Sequence, residues 1–267
     1  LSGQTRVWQK ERLLNLAVRA LPPEAEYVAW VDSDVIFADL RWPGKALALL
    51  RDGKTFVQLF DRAAHLPSEL SPERASREVC NRTFPLLTED GIASALESGT
   101  LFNGGRRTSR GEASGGTATS GLPSISHGIA WAGRREILQE VSLYDACVIG
   151  GGDKALAFAA MGRADLLPEE RPLSAKHLDH YLSWARRLEH LGENDMGFVQ
   201  GVVYHLWHGH FHHRQYRERH KILLRLAFDP YRDLETAKNG SLRWAPHAGA
   251  LEAAVSGYFF ERREDEV

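Results

Sequence analysis

The chain has 267 residues and 43% apolar content, enough to bury a sizeable core, and one domain over 1–267 is the expectation. Lys and Arg number 33 against 35 Asp and Glu, and the net charge of −2 argues against a protein that holds nucleic acid through bulk charge. Cys80 and Cys147 are too few for a disulfide framework or a four-cysteine zinc site, no apolar run reaches membrane-spanning length, and Leu1–Arg6 lacks the layout of a secretion signal; these features predict a soluble, cytoplasmic protein without a transmembrane segment.

Trp8, Leu13, Leu14, Ala17, Ala20 and Leu21 recur at helical spacing until Pro22-Pro23 stops the pattern, so the first element is an amphipathic helix. Tyr27–Val31 follows as a short apolar run with Val and aromatic residues, which predicts a strand covered on both faces, as in a parallel sheet. At its C-terminal end stand Asp32 and Asp34. Two carboxylates so close repel each other and are costly beside apolar residues, so a cation or several donors must lie nearby. Ligands of open α/β sheets bind outside the carboxyl ends of strands, which is where this pair falls.

Ala46–Leu50 reads as a helix, Thr55–Phe60 as a strand, and Asp90–Leu96 as another helical piece. From Gly99 to Ser126 the chain is rich in Gly, Ser and Thr with little to bury; 99–126 is predicted to be a flexible loop, either an insertion without a role or a lid. Ser126–Gly133 reads as a strand that turns into a helix near Arg134.

Val148-Ile149-Gly150-Gly151-Gly152-Asp153 then leads into a helix continuing over Ala155–Met161. An Asp in a first helical turn is commonly a plain cap. Capping alone does not require three successive glycines, so close approach of a ligand is the second reading. His177, Tyr181, Trp184, Leu188 and Leu191 share one helical face and read as core. Phe198–Leu206 is a predicted strand, and six histidines fall between His205 and His220. In a continuous strand His205 and His208 point to opposite faces, so they could share one ion only if the chain turns near Gly209.

Asp32-Ser33-Asp34, Gly150-Gly151-Gly152-Asp153 and His205-Leu206-Trp207-His208-Gly209, in this order, resemble the metal-dependent GT-A glycosyltransferases, the nucleotide-diphospho-sugar transferase superfamily, in its bacterial or phage form. The helix Lys10-Glu11-Arg12-Leu13-Leu14-Asn15 ahead of the Asp-x-Asp strand is similar too, and 229–267 resembles the C-terminal extension of such enzymes. The resemblance implies a Rossmann-like α/β fold with a mostly parallel central sheet flanked by helices. In that family a further strand and loop hold the nucleotide base, whereas only a short segment precedes the Trp8 helix here, so a first βα unit is expected to be missing.

For function, the resemblance implies transfer of a sugar from a nucleotide-diphosphate donor such as a UDP-sugar to a hydroxyl of a glycan or related acceptor, with inversion, using Mn²⁺ or Mg²⁺. Asp34, Asp32 and His208, or His205 as second choice, would form the metal site. Asp32, Asp34, Lys10 and Asn15 would serve the nucleotide and ion, and Asp153 would be the base toward the acceptor hydroxyl. Gly151 and Gly152 would let the acceptor come close, with Trp131 and Trp207 as stacking platforms for sugar rings. Two other classes stand beside this one: a non-catalytic carbohydrate-binding or degenerate transferase domain, and a metallohydrolase built on the His cluster.

Overall fold

The computed structural model describes residues 7–70, 87–101, 124–207, 209, 211–216 and 218–262. In chain order the elements are α1 (Lys10–Ala20), β1 (Tyr27–Val31), β2 (Val35–Phe37), α2 (Trp42–Arg51), β3 (Phe56–Gln58), β4 (Arg62–His65), β5 (Leu87–Gly91), α3 (Ile92–Glu97), β6 (Ser124–Ser126), β7 (Ala130–Arg134), α4 (Arg135–Val141), α5 (Gly152–Ala160), α6 (Leu166–Glu170), α7 (Ala175–Ala185), β8 (Met196–Phe198), β9 (Val202–His205), α8 (Glu218–Arg225), α9 (Pro230–Asp233), β10 (Leu234–Thr236), β11 (Leu242–Trp244) and α10 (Gly249–Glu261). The fold is mixed α/β, and its sheets contain both parallel and antiparallel pairs. Two units are formed, one by the described residues of Leu1–Ala25, Glu136–Gly192 and His210–Glu264, the other by those of Glu26–Arg135 and Glu193–Gly209. No helix among the described residues is long and apolar enough to cross a membrane. Most of the predicted 99–126 loop lies outside the described residues; its last three residues form β6.

The second unit holds two sheets, of strand order β1-β7-β3-β8 and β2-β9-β4-β5-β6. Here the expectation of a mostly parallel sheet is corrected: β3–β8, β4–β9 and β5–β6 are parallel, while β1–β7, β3–β7, β2–β9 and β4–β5 are antiparallel. The apolar run Tyr27–Val31 suggested a strand buried on both faces, yet β1 pairs only with β7 and leaves Ala29 and Val31 exposed. An edge strand needs to cover only one face, and Trp30 supplies that cover. The predicted Phe198–Leu206 strand is two strands. Gln200-Gly201 breaks it, and β8 joins one sheet while β9 joins the other. Leu50 of α2, Val57 of β3, Phe60, Ala63 of β4, Ala132 of β7 and Val203 of β9 form one buried cluster, so strands of both sheets share a core. Each large side chain in it contributes roughly 1.5–3 kcal/mol.

Helices dominate the first unit, with β10–β11 as its one described hairpin. Helix α1 ends at Ala20 because Leu21, ahead of Pro22, is extended (φ −64°, ψ 147°), the conformation a residue before proline prefers. Its buried line is Glu11, Asn15 and Val18, not the predicted apolar stripe; Leu13 is 55% exposed and Ala17 and Ala20 are exposed too. Two polar residues on a buried line need partners inside the unit. Asn15 has them: its Nδ2 donates to the Leu143 carbonyl (2.9 Å) and its Oδ1 accepts from the Leu143 N–H (2.7 Å), closing the backbone where the chain leaves α4. Helix α5 is buried on every side from Ala155 to Ala160, and α7 presents His177, Tyr181 and Trp184 inward as its spacing predicts. Ser174 caps α7 by accepting from the His177 N–H.

Candidate functional site

Asp32-Ser33-Asp34 is the turn that carries the chain out of β1, in one sheet, into β2, in the other. The Asp32 N–H donates to Ile129 O (2.8 Å), and Leu206 N–H donates to Asp34 O (2.8 Å), which extends the β2–β9 ladder past its end. Register then decides what meets Asp34. Val35 is the antiparallel partner of His205, so the residue ahead of Val35 stands at the His205 end of β9. The side chains are adjacent, with Asp34 Oδ2 3.6 Å from His205 Nε2, and the Asp34 side chain is 29% exposed. Asp32 is half-buried at the same turn.

The parallel pairing of β4 with β9 sets His65 beside His205, with ring centroids 5.1 Å apart in an edge-to-face arrangement. His65 Nε2 in turn lies 3.2 Å from Glu89 Oε2 on β5, a diagonal cross-strand pair whose carboxylate is sealed from solvent. Asp34, His205, His65 and Glu89 therefore form a row across four neighbouring strand positions. His65 and Glu89 escaped sequence reasoning because nothing in their spacing links them; only strand register does. His208 lies outside the described residues, and Gly209 (φ 91°) is the left-handed turn residue expected there.

A separation of 3.6 Å is too long for a hydrogen bond but suits two ligands sharing one ion, each bond being about 2.1 Å. One carboxylate with one imidazole is a donor set that Mn²⁺ accepts. Among the described residues no group of three or more His, Cys, Asp or Glu could hold a metal ion. Mg²⁺-type sites commonly use one or two protein ligands and fill the remainder with water and substrate phosphate, so the pair meets that requirement.

The other predicted site residues belong to the helical unit. Lys10 Nζ lies 3.0 Å from Asp153 Oδ2, and Lys154 pairs instead with Glu170 (3.0 Å). Asp153 stands in the first turn of α5, whose N-cap, Gly151, makes no side-chain cap bond. Glu11, 4% exposed, packs against Gly152; a β-carbon there would overlap its carboxyl group. Burial, then the charge of Asp153, pushes the Glu11 carboxyl up to about 7. At Gly151, φ is 95° and a β-carbon would stand 2.5 Å from Arg171 Nη1. The triple glycine thus has a use inside the chain: it makes room for Glu11 and Arg171. Asn15 spends one donor and one acceptor on Leu143, as described above.

No family model, curated protein or solved structure matches this chain.

One predicted stacking platform is corrected. Trp131 is 1% exposed on β7 and its indole N–H donates to His127 O (3.0 Å), so it offers no face to a sugar ring and is a core residue. Trp207, next to the Asp34–His205 pair in sequence order, is half-buried.

Proposed function

We propose that the chain is a metal-dependent glycosyltransferase that moves a sugar from a nucleotide-diphosphate donor to an acceptor hydroxyl, with a GT-A-like arrangement of its sheets. One observation carries the reading: Asp34 and His205, from opposite ends of the strand unit in sequence, meet at 3.6 Å with the Asp34 side chain 29% exposed, although its Oδ1 is shut off from solvent. The resemblance implied a histidine of this segment beside Asp34, His208 first and His205 second; His208 lies outside the described residues, and His205 is the one found there.

In this reading Asp34 and His205 hold Mn²⁺ or Mg²⁺, and Asp32 contacts the ribose or a metal-bound water. The ion, when bound, supplies Lewis-acid stabilisation to the departing diphosphate. His205 is kept in place by its ladder partner Val35 and by the edge of the His65 ring, and Glu89 holds His65. Asp153 accepts the proton of the acceptor hydroxyl; Lys10, at 3.0 Å, must yield that carboxylate for it to do so.

Thermal unfolding with a panel of nucleotide sugars, with and without Mn²⁺, tests the proposal. A Mn²⁺-dependent rise for one donor is expected, lost in Asp34→Asn and reduced at least tenfold in apparent affinity in His205→Ala. A donor-dependent rise that survives Asp34→Asn unchanged would overturn it, and so would the absence of any such rise across the panel.

A further inference from the structure

We propose that the helical unit also binds a small tetrahedral oxyanion, a phosphate either free or at the end of a phosphate ester, held between Arg171, Arg219 and the Gly150-Gly151-Gly152 turn that opens α5. The claim goes beyond glycosyl transfer and involves neither Asp34 nor His205.

Two buried guanidiniums converge on that turn. Arg171 is 5% exposed and Arg219 6%. Arg171 donates through Nη2 to Gly151 O (2.9 Å) and through Nη1 to Gly150 O (3.4 Å). Arg219 donates through Nη1 to Tyr258 Oη (3.2 Å), and its Cζ stands 5.0 Å from the Tyr216 ring centroid. A β-carbon at Gly150 would lie 3.5 Å from both Nη1 and Nη2 of Arg219, so the glycines bring the backbone against both cations. The Nε–H of each arginine is shut off from solvent and has no hydrogen-bond partner among the described residues.

Among the described residues neither arginine has a carboxylate within 4.0 Å, whereas a buried guanidinium is ordinarily closed by one; an uncompensated buried charge is strongly destabilising. The surroundings carry the mark of excess positive charge. His220, buried beside Gly151, has its imidazole pushed well below its usual range by burial and then by Arg171 and Arg219; His177 falls to about 3 through burial and then Arg171. Glu11 is a sealed acid that acts on Arg171, and burial pushes its carboxyl up to about 7. The first-turn N–H groups of the nine-residue α5 add donors of the same sign. A planar carboxylate could satisfy one fork; a tetrahedral oxyanion can face two forks and a helix end at once.

The experiment follows thermal unfolding of the full chain in chelator, without nucleotide sugar, as chloride is exchanged for phosphate or for glycerol phosphate at constant ionic strength. A saturable rise of a few degrees is expected with at least one anion, and the tighter of the two names the source. Arg219→Gln should weaken that affinity at least tenfold, while Arg51→Gln, on the exposed end of α2, should leave it unchanged. Should the arginine variants fail to fold, Glu11→Gln reads the same claim, because removing the competing negative charge should tighten phosphate binding severalfold. No saturable rise with either anion, equal affinity in Arg219→Gln, or unchanged or weaker affinity in Glu11→Gln would each overturn the site. A failed donor screen would leave this result untouched, since cation and donor are absent here.

Discussion

Asp34 and Glu11 are two carboxylates set beside apolar residues, and the two units treat them differently. Asp34 sits on a turn between two sheets, partly open, with an imidazole 3.6 Å away. Glu11 points from the buried line of α1 onto Gly152, with almost no solvent contact, and its Oε1 has no hydrogen-bond partner among the described residues. The first arrangement keeps a charge accessible to an ion; the second favours the neutral acid, because burial dominates every attraction acting on it. An acid in an apolar stretch is therefore no sign of a ligand site by itself. Access and the chemistry of its neighbour decide.

The largest expected effect breaks the packing side of that contrast. Gly152→Ala would ordinarily help a helix by up to about 1 kcal/mol, but the new methyl collides with the Glu11 side chain in a closed interior. Overpacking wins, and a net loss of about 3 to 4 kcal/mol is expected in denaturant unfolding. The pair Glu11→Ala with Gly152→Ala should recover most of it, giving a strongly non-additive cycle. Additive costs in that cycle would mean that Glu11 is not what occupies the space.

How much of this was legible beforehand differs between the units in the same way. Helix α5, the core face of α7 and the stop at Pro22 follow from local pattern, since spacing and proline chemistry act within a few residues. The nearness of Asp34 to His205 was legible only through the order of motifs, and the row His65–Glu89 was not, because strand register joins residues 24 apart without leaving a spacing signal. Strand β1 misled: five apolar residues read as a fully covered strand, and an edge strand antiparallel to β7 carries the same composition. On α1 Leu13, Ala17 and Ala20 face outward while Asn15, bonded to Leu143, and Glu11, fitted against Gly152, turn inward, which no hydrophobic count can foresee.

A smaller effect separates the two carboxylates by pH. The Glu11 carboxyl titrates at about 7 in the folded chain and at its ordinary value of 4.5 when unfolded. Between those values the folded state holds a proton that the unfolded state has released, so the contribution is full below about pH 4.5 and is lost as pH rises through about 7. The loss amounts to about 3 kcal/mol at most. Buried His177 acts in the opposite sense: with its imidazole lowered from 6.5 to about 3, stability falls as pH drops below 6.5. Both proteins share that histidine, so the difference in unfolding free energy between wild type and Glu11→Gln isolates the acid. Wild type should lose stability steadily relative to Glu11→Gln from pH 5 to pH 7.5. A difference that stays flat across the window would show that Glu11 is ionised throughout.

The smallest effect sharpens what an inward polar residue is for. Asn15→Ala removes both bonds to Leu143 and leaves a buried backbone N–H and C=O without their partner, a cost of about 2 kcal/mol. If Asn15 instead served the nucleotide, as the motif order suggested, the same substitution would weaken donor binding while leaving unfolding unchanged. Measuring both on one preparation tells them apart, and the geometry favours the first outcome: the side chain spends one donor and one acceptor on Leu143 in a site 4% exposed. Asn15→Asp adds a control, because it keeps the acceptor toward the Leu143 N–H but sets a carboxylate against the Leu143 carbonyl. It should therefore cost more stability than alanine, and more at pH 7 than at pH 4, where protonation restores a donor.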